Sequence, residues 1–334
     1  MRITRESLHT IARETAEKSA RRNRELVCIY LTGSLLTDAP LLGGTTDVDL
    51  VYVHASTPPF MREVVRVSDE IHLDIAHYPQ SVFHQPRHLR RDPWIGSHLC
   101  LNAVQLYDTQ HWFEFTQASA GAQFDQPENV IGRARKLESA ARQGWFDIQT
   151  QSGGGPAEKM HLYLRSLENA ANSISAITGV PLTERRFIQR YPERAAAIGR
   201  PGLAGGLVDL FTIEGLSSAD LARWFEPWRE CLRTASQSEN IPPRLSAARF
   251  SYYERAAAAL NEEDTPAALW LVLRTWTHAV LALDTGSEHQ KIWEQALQEF
   301  EFDADHFAQR LSLLDSYLDA VEDTLDSWSQ KYGV

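Results

Sequence analysis

The sequence predicts an α+β protein, in which a small mixed sheet with flanking helices is followed by an all-α helical bundle. Two observations carry this. Short apolar runs bounded by turn residues recur between residues 25 and 107, separated by more polar stretches, the mark of strands interleaved with helices. Beyond residue 112 the apolar residues keep a three-to-four spacing, the period of helices that bury one face. The 334 residues suffice for two domains, expected over 1–112 and 113–334.

Residues 4–24 are polar, with Leu8, Ile11, Ala12 and Thr15 on one side, which predicts an amphipathic opening helix. Glu25–Leu31 is a short apolar run and reads as a buried strand. A Gly-Ser turn and a Pro/Gly-rich excursion over Ala39–Gly44 follow. Asp47–Val53 is the next strand, then a helix-like stretch, then a third strand over Glu70–Ala76 and a fourth over Ala103–Tyr107.

In the second domain, Val130, Ala134, Leu137, Ala141, Trp145 and Ile148 define one helix, and Met160, Leu164, Leu167, Ala171, Ile174 and Ile177 the next. Pro266 suits a first helical turn, and Ala267–Leu273 is apolar nearly all round, which predicts a central buried helix. Phe307, Leu311, Leu314, Leu318, Val321 and Leu325 mark the last helix. Five or more helices are expected. The glycine cluster at Ser152–Pro156 has no preceding strand and no following Gly-Lys-Ser/Thr, so it reads as a connection rather than a phosphate loop.

Composition narrows the function classes. Hydrophobic residues make up 43% and charged residues 23%, the balance of an ordinary globular protein. No apolar run approaches the ~20 residues of a membrane span. The first ten residues carry charges where a signal peptide needs an apolar stretch. Cys28, Cys100 and Cys231 are scattered, without a CxxC, which favours neither a disulfide framework nor a zinc site. The expectation is a cytoplasmic protein with no membrane partner. The net formal charge of −11 disfavours broad nucleic-acid binding and would suit a small cationic substrate. The basic stretch Arg87–Arg91 reads as a solvated loop.

Three pieces of the first domain carry chemistry. Gly33-Ser34 directly follows the first strand, Asp47-Val-Asp49 opens the second, and Asp74 lies within the third, flanked by Ile71, Leu73 and Ile75. Alternation along a strand puts Asp47 and Asp49 on one face, about 6–7 Å apart. A third carboxylate in an apolar strand costs several kcal/mol if buried alone. Carboxylates on neighbouring strands therefore ask for a cation, and hard oxygen ligands suit Mg²⁺ or Mn²⁺. A glycine lets backbone N–H groups approach phosphate oxygens closely, and Ser34 can add a hydroxyl. Metal held by Asp47 and Asp49 would bridge phosphates, and a second metal shared with Asp74 would activate an attacking hydroxyl.

Leu31-Thr-Gly-Ser34, Thr46-Asp-Val-Asp-Leu50 and His72-Leu-Asp-Ile75 together resemble the Gly-Ser, Asp-x-Asp and distal-Asp signature of the DNA polymerase β-like nucleotidyltransferase superfamily. The resemblance covers residues ~25–77 firmly, and Leu106-Tyr107-Asp108 is similar to that domain's later strand. It implies a nucleotidyltransferase sheet over 1–112, triphosphate contacts from Gly33 and Ser34, and metal ligands at Asp47, Asp49 and Asp74. The sequence departs from the pattern after Gly-Ser, where Leu35–Gly44 is apolar and carries its glycines late.

The two-domain layout is closest to the aminoglycoside nucleotidyltransferases, in which the helical part binds the acceptor and can supply a general base. The resemblance implies transfer of a nucleoside monophosphate, AMP from ATP or another NTP, onto an acceptor hydroxyl of a small molecule. Glu168 is the candidate base, on a helix whose His161, Arg165, Glu168, Asn169 and Asn172 share a polar stripe. Lys159 and Arg165 are candidate phosphate contacts. The alternative for that stripe is a solvent-facing surface. Arg274 and His278 read as a satisfied buried pair, and Trp224, Trp228, Trp270, Trp276 and Trp293 as core. Two other functions stay open: nucleotidylation of protein or tRNA, as in toxin–antitoxin nucleotidyltransferases, and nucleotide binding without turnover.

Overall fold

A computed structural model describes residues 3–37, 39–150, 154–238 and 241–334; the expected connection at Ser152–Pro156 lies partly outside them. The chain divides into two compact units, Met1–Val130 and Ile131–Val334.

In the first unit Thr4 and Ser7 satisfy each other's backbone N–H groups and start α1 (Arg5–Arg22), which buries Leu8, Ala12 and Ala16. The strands are β1 (Leu26–Thr32), β2 (Thr46–His54), β3 (Arg62–Arg66) and β4 (Ile71–Pro79). Two short helices, α2 (Pro86–Arg90) and α3 (Ile95–Leu101), precede β5 (Ala103–Asp108) and α4 (Trp112–Gly121). The sheet order is β3-β4-β2-β1-β5. It is mixed: β2 and β4 run parallel, and the other neighbours are antiparallel. α4, which follows the expected boundary at residue 112, packs with this unit.

Side-chain alternation gives the sheet two apolar faces. Ile29, Leu31, Val48, Leu50, Leu73 and Ile75 pack against α1. Tyr30, Val51 and Val53 face the other way, with Leu89, Leu99 and Phe113 of the later helices. Residues 47, 49 and 74 share the parity of that second face.

One element differs from expectation. The stretch before β4, read as helix-like, contains β3, an edge strand hairpinned onto β4. Its core, Arg62-Glu-Val-Val-Arg-Val67, is rich in β-branched residues, which favour a pleated surface. The basic stretch is also ordered rather than a loop. It forms α2 and the turn after it, and Arg90 donates to Ser119 O, Ala120 O and Gln123 Oε1 at the end of α4.

The second unit takes in most of α5 (Pro127–Thr150) and then α6 (Pro156–Thr178), α7 (Phe187–Ala197), α8 (Gly202–Asp209) and α9 (Ser218–Ala222). It continues through α10 (Phe225–Ala235), α11 (Phe250–Glu263), α12 (Thr265–Leu281), α13 (Glu288–Glu299) and α14 (Ala304–Tyr332). α12 is the central helix, buried from Ala267 to Thr277 without interruption. Its Asp264 cap accepts from Ala267 N, and Pro266 occupies the first turn. Trp228, Trp270, Trp276 and Trp293 are fully buried core residues. Arg142 of α5 meets Asp315, Asp319 and Glu322 along α14. Among the described residues, no helix is long and apolar enough to cross a membrane.

Candidate functional site

The end of β1 and the start of β2 build the site. Thr32 stands opposite Asp49 in the antiparallel pair, and Asp49 stands opposite Asp74 in the parallel one. Register alone thus brings two carboxylates side by side, and Asp47 follows on the same face one pleat away. The three residues can offer carboxylate oxygens that all lie within 4.8 Å of one another. Asp47 and Asp74 are buried and Asp49 is half-buried. Carboxylates this close repel strongly outside bulk water.

Part of that repulsion is offset by Arg62, which the sequence reading missed. Its Nε donates to Asp74 Oδ1 and its Nη2 to Asp74 Oδ2, each at 2.6 Å, a two-pronged guanidinium–carboxylate pair. The Asp74 side chain is 3% exposed and that of Arg62 53%, so the guanidinium reaches the carboxylate from the solvent side. The available signal was the β-branched run just before β4, which places position 62 on an adjacent strand.

Gly33 begins a short 3-10 turn, Gly33–Leu36, with a φ of +81°. A Cβ there would lie 1.9 Å from Asp49 Oδ2. The position therefore needs glycine twice, for its left-handed backbone and for the space beside Asp49. In the same turn the Ser34 hydroxyl is buried and has no hydrogen-bond partner among the described residues. A buried hydroxyl left in this state is costly, and a ligand oxygen would satisfy it.

The neighbouring wall comes from α3. Thr32 Oγ1 donates to Asn102 O at 2.6 Å, and His98 Nδ1 lies 3.0 Å from the same hydroxyl. With its proton already given to Asn102 O, that hydroxyl accepts from His98, which fixes the imidazole tautomer. Burial holds His98 neutral, its pKa pushed down to about 4, with only Asp92 opposing. Asp108, at the end of β5, accepts from Trp112 N and Phe113 N and caps α4; it is a structural residue here.

This donor set fits a hard divalent cation: carboxylate oxygens converging from two strands, beside a buried hydroxyl and a glycine that leaves room. Asp74 has both oxygens engaged by Arg62, so it can ligate only by sharing or exchanging that partner.

Gly33, Ser34, Asp47, Asp49 and Asp74 therefore come together in the first unit. Glu168 belongs to the second. It is not on a solvent-facing stripe: its Oε2 accepts from Arg274 Nη2 at 2.6 Å, with side-chain exposures of 15% and 7%. Asn172 of the same stripe is fully buried, bonding Leu182 N and O. Arg274 and His278, expected to pair with each other, instead meet Glu168 and Arg244 respectively. The i,i+4 spacing along α12 shows that they are neighbours on one face, and each reaches across to a different element.

No family model matches the chain, and no curated protein matches it.

Proposed function

We propose that this chain is a metal-dependent nucleotidyltransferase that moves a nucleoside monophosphate, AMP from ATP in the first instance, onto an acceptor hydroxyl. The observation that carries the reading is the meeting of Asp47, Asp49 and Asp74 within 4.8 Å, beside the Gly33 turn and the buried Ser34 hydroxyl. The resemblance to the DNA polymerase β-like superfamily rests on these same residues in this order, and on that reading the mixed sheet is its nucleotidyltransferase sheet.

A bound Mg²⁺ or Mn²⁺ would supply charge neutralisation at the phosphates and acidify a coordinated hydroxyl. Asp47 and Asp49 would hold it, with Asp74 contributing once Arg62 shares its carboxylate. The protein's own groups do the rest. Backbone N–H groups of the Gly33 turn and the Ser34 hydroxyl donate to non-bridging oxygens of the β- and γ-phosphates, orienting the α-phosphorus. The acceptor oxygen forms its bond to that phosphorus as the bond to the bridging oxygen breaks. Pyrophosphate leaves, and the acceptor's proton passes to a base. Arg62 keeps Asp74 aimed along the sheet and limits repulsion before substrate arrives.

The test is direct. The protein is incubated with Mg²⁺, each labelled NTP in turn and a panel of acceptors, and product mass is read. A mass gain of one nucleoside monophosphate, with pyrophosphate release, supports the reading. NTP and Mg²⁺ that stabilise the fold without turnover, on any acceptor, would favour a binding module instead.

A further inference from the structure

The second unit contains a polar network that the proposed chemistry of the first does not use. It joins α6 to α12 and to the turn Pro243–Leu245. Glu168 accepts from Arg274 at 2.6 Å. The His161 and His278 rings meet edge to face with centroids 4.9 Å apart. Arg244 Nη1 lies 2.8 Å from His278 Nε2 and 3.8 Å from Glu184 Oε1. A guanidinium only donates, so His278 Nε2 accepts and that imidazole is neutral.

Three features single this network out. It is rich in cation: Arg274 and Arg244 lie in it and Arg165 beside it, against Glu168 and Glu184, in a chain whose net charge is −11. Its positive field is felt by the histidines. Burial first, and then Arg274, Arg165 and Arg244, hold His161 at about 4, and His278 is depressed further by burial, Arg244 and Arg274. It also holds buried groups with nothing to bond: Arg274 Nε, on a side chain 7% exposed, and His161 Nδ1 have no hydrogen-bond partner among the described residues. Thr277 Oγ1, on α12 between Arg274 and His278, is in the same state. Buried polar atoms are seldom left unpaired, and Arg274 Nε–H, a donor in every protonation state, favours an anion. Arg165 is exposed and the Arg244 side chain is 39% exposed, so the network reaches solvent.

We propose that this network is an anion site of the second unit, and that the acceptor carries a phosphate group received by Arg274, Arg244 and His161. Guanidinium forks match phosphate oxygens, and the nucleotide's own phosphates already have receiving groups at Gly33, Ser34 and the aspartates. The acceptor is then anionic, contrary to the cationic one that composition suggests. The word acceptor rests on the nucleotidyltransferase reading; the anion site does not.

The experiment is calorimetric titration of inorganic phosphate into the full-length chain, in EDTA, without nucleotide, at constant ionic strength. Saturable binding at one site is expected. Arg244→Gln should weaken it about tenfold, the loss of one charge-assisted contact. Because Arg274→Gln alone could unfold the unit, the double variant Glu168→Gln/Arg274→Gln removes both charges and should abolish binding. Asp47→Asn should leave it unchanged. No saturable binding, equal binding in all variants, or loss in Asp47→Asn would overturn the site. Displacement of phosphate by Mg-ATP would give the anion to the nucleotide and overturn the acceptor assignment. Nucleotidylation of unphosphorylated acceptors only would overturn the acceptor assignment, whereas phosphate binding with no nucleotidylation of any acceptor would count against the transferase reading and leave the anion site standing.

Discussion

Gly33 and Asp49 are so close that a single methyl carbon on residue 33 would lie 1.9 Å from the Asp49 carboxylate oxygen. The contact follows from register, since Thr32 pairs with Asp49 and the chain turns immediately afterwards at a φ of +81°. Gly33→Ala should cost about 1–2 kcal/mol for the left-handed backbone alone and push Asp49 out of line with Asp47 and Asp74. The expected result is a folded protein with a lowered melting temperature and no detectable nucleotidyl transfer. Calorimetry together with an activity assay checks it; wild-type turnover would show that the turn does not place Asp49.

Charge removal within the cluster should act in the opposite sense on stability. Asp47→Asn or Asp49→Asn relieves repulsion among carboxylates, so the metal-free protein should melt at the same temperature or higher. Nucleotidyl transfer should disappear in both. A clear loss of metal-free stability would instead mean that these carboxylates serve mainly as hydrogen-bond acceptors for the fold.

Arg62 offers a finer test. With a side chain half exposed against a buried Asp74, it competes with any cation for that carboxylate. Arg62→Gln should lower the melting temperature slightly without metal, because one offsetting charge is gone. It should enlarge the stabilisation given by Mn²⁺, because Asp74 is released. Thermal shifts with and without Mn²⁺ measure both, and an unchanged metal shift would remove Arg62 from the metal argument.

The shared face of Asp47 and Asp49 and the placing of Asp74 on a neighbouring strand were legible in the sequence, since each sits inside an apolar alternating run whose faces follow from the pleat. The register that sets Asp49 opposite Asp74 was not, because alternation within one strand does not fix its pairing with the next. Arg62 was harder to read, because Arg62–Arg66 is a short edge strand in which exposed charges interrupt the β-branched residues that mark it. The partners of α6 were hidden for a different reason. Periodicity assigns His161 and Glu168 to a polar face, but whether that face meets water or another helix depends on tertiary packing. In this fold Arg274, from a helix read as almost wholly apolar, covers it.

Acid sensitivity should be set partly by buried imidazoles. His98 is held at about 4 by burial, against the ordinary 6.5, and His161 is likewise held at about 4. A folded-state pKa below the unfolded one means that the unfolded chain binds more protons between these values. Stability is therefore full above pH 6.5 and falls as pH drops towards 4, by up to about 1.4 kcal/mol per unit for each group. Denaturant melts at intervals from pH 7 to 4 should show this limb. His98→Asn should remove its share of the slope, and an unchanged slope would contradict a buried neutral His98.

Glu168 has two readings that one pair of variants separates. As a general base it should carry the acceptor's proton, and Glu168→Gln should lower the chemical rate by about 10²–10⁴-fold with nucleotide affinity unchanged. As the counter-charge of Arg274, at 2.6 Å and with both side chains mostly buried, its role is structural. Breaking a buried pair by neutralising one partner costs about 3–5 kcal/mol, so Glu168→Gln should then appear chiefly as a fall in melting temperature. The double variant Glu168→Gln/Arg274→Met removes the stranded charge and should recover most of that stability. If turnover recovers with it, Glu168 is not the base and the proton goes elsewhere. If stability recovers while the rate stays low, the loss belongs to Glu168 or to Arg274, and Glu168→Gln alone, assayed below its melting temperature, assigns it to the carboxylate when kcat falls with the acceptor KM unchanged. The second outcome is the one expected, because the ion pair occupies only Oε2 and leaves Oε1 as a lone-pair acceptor.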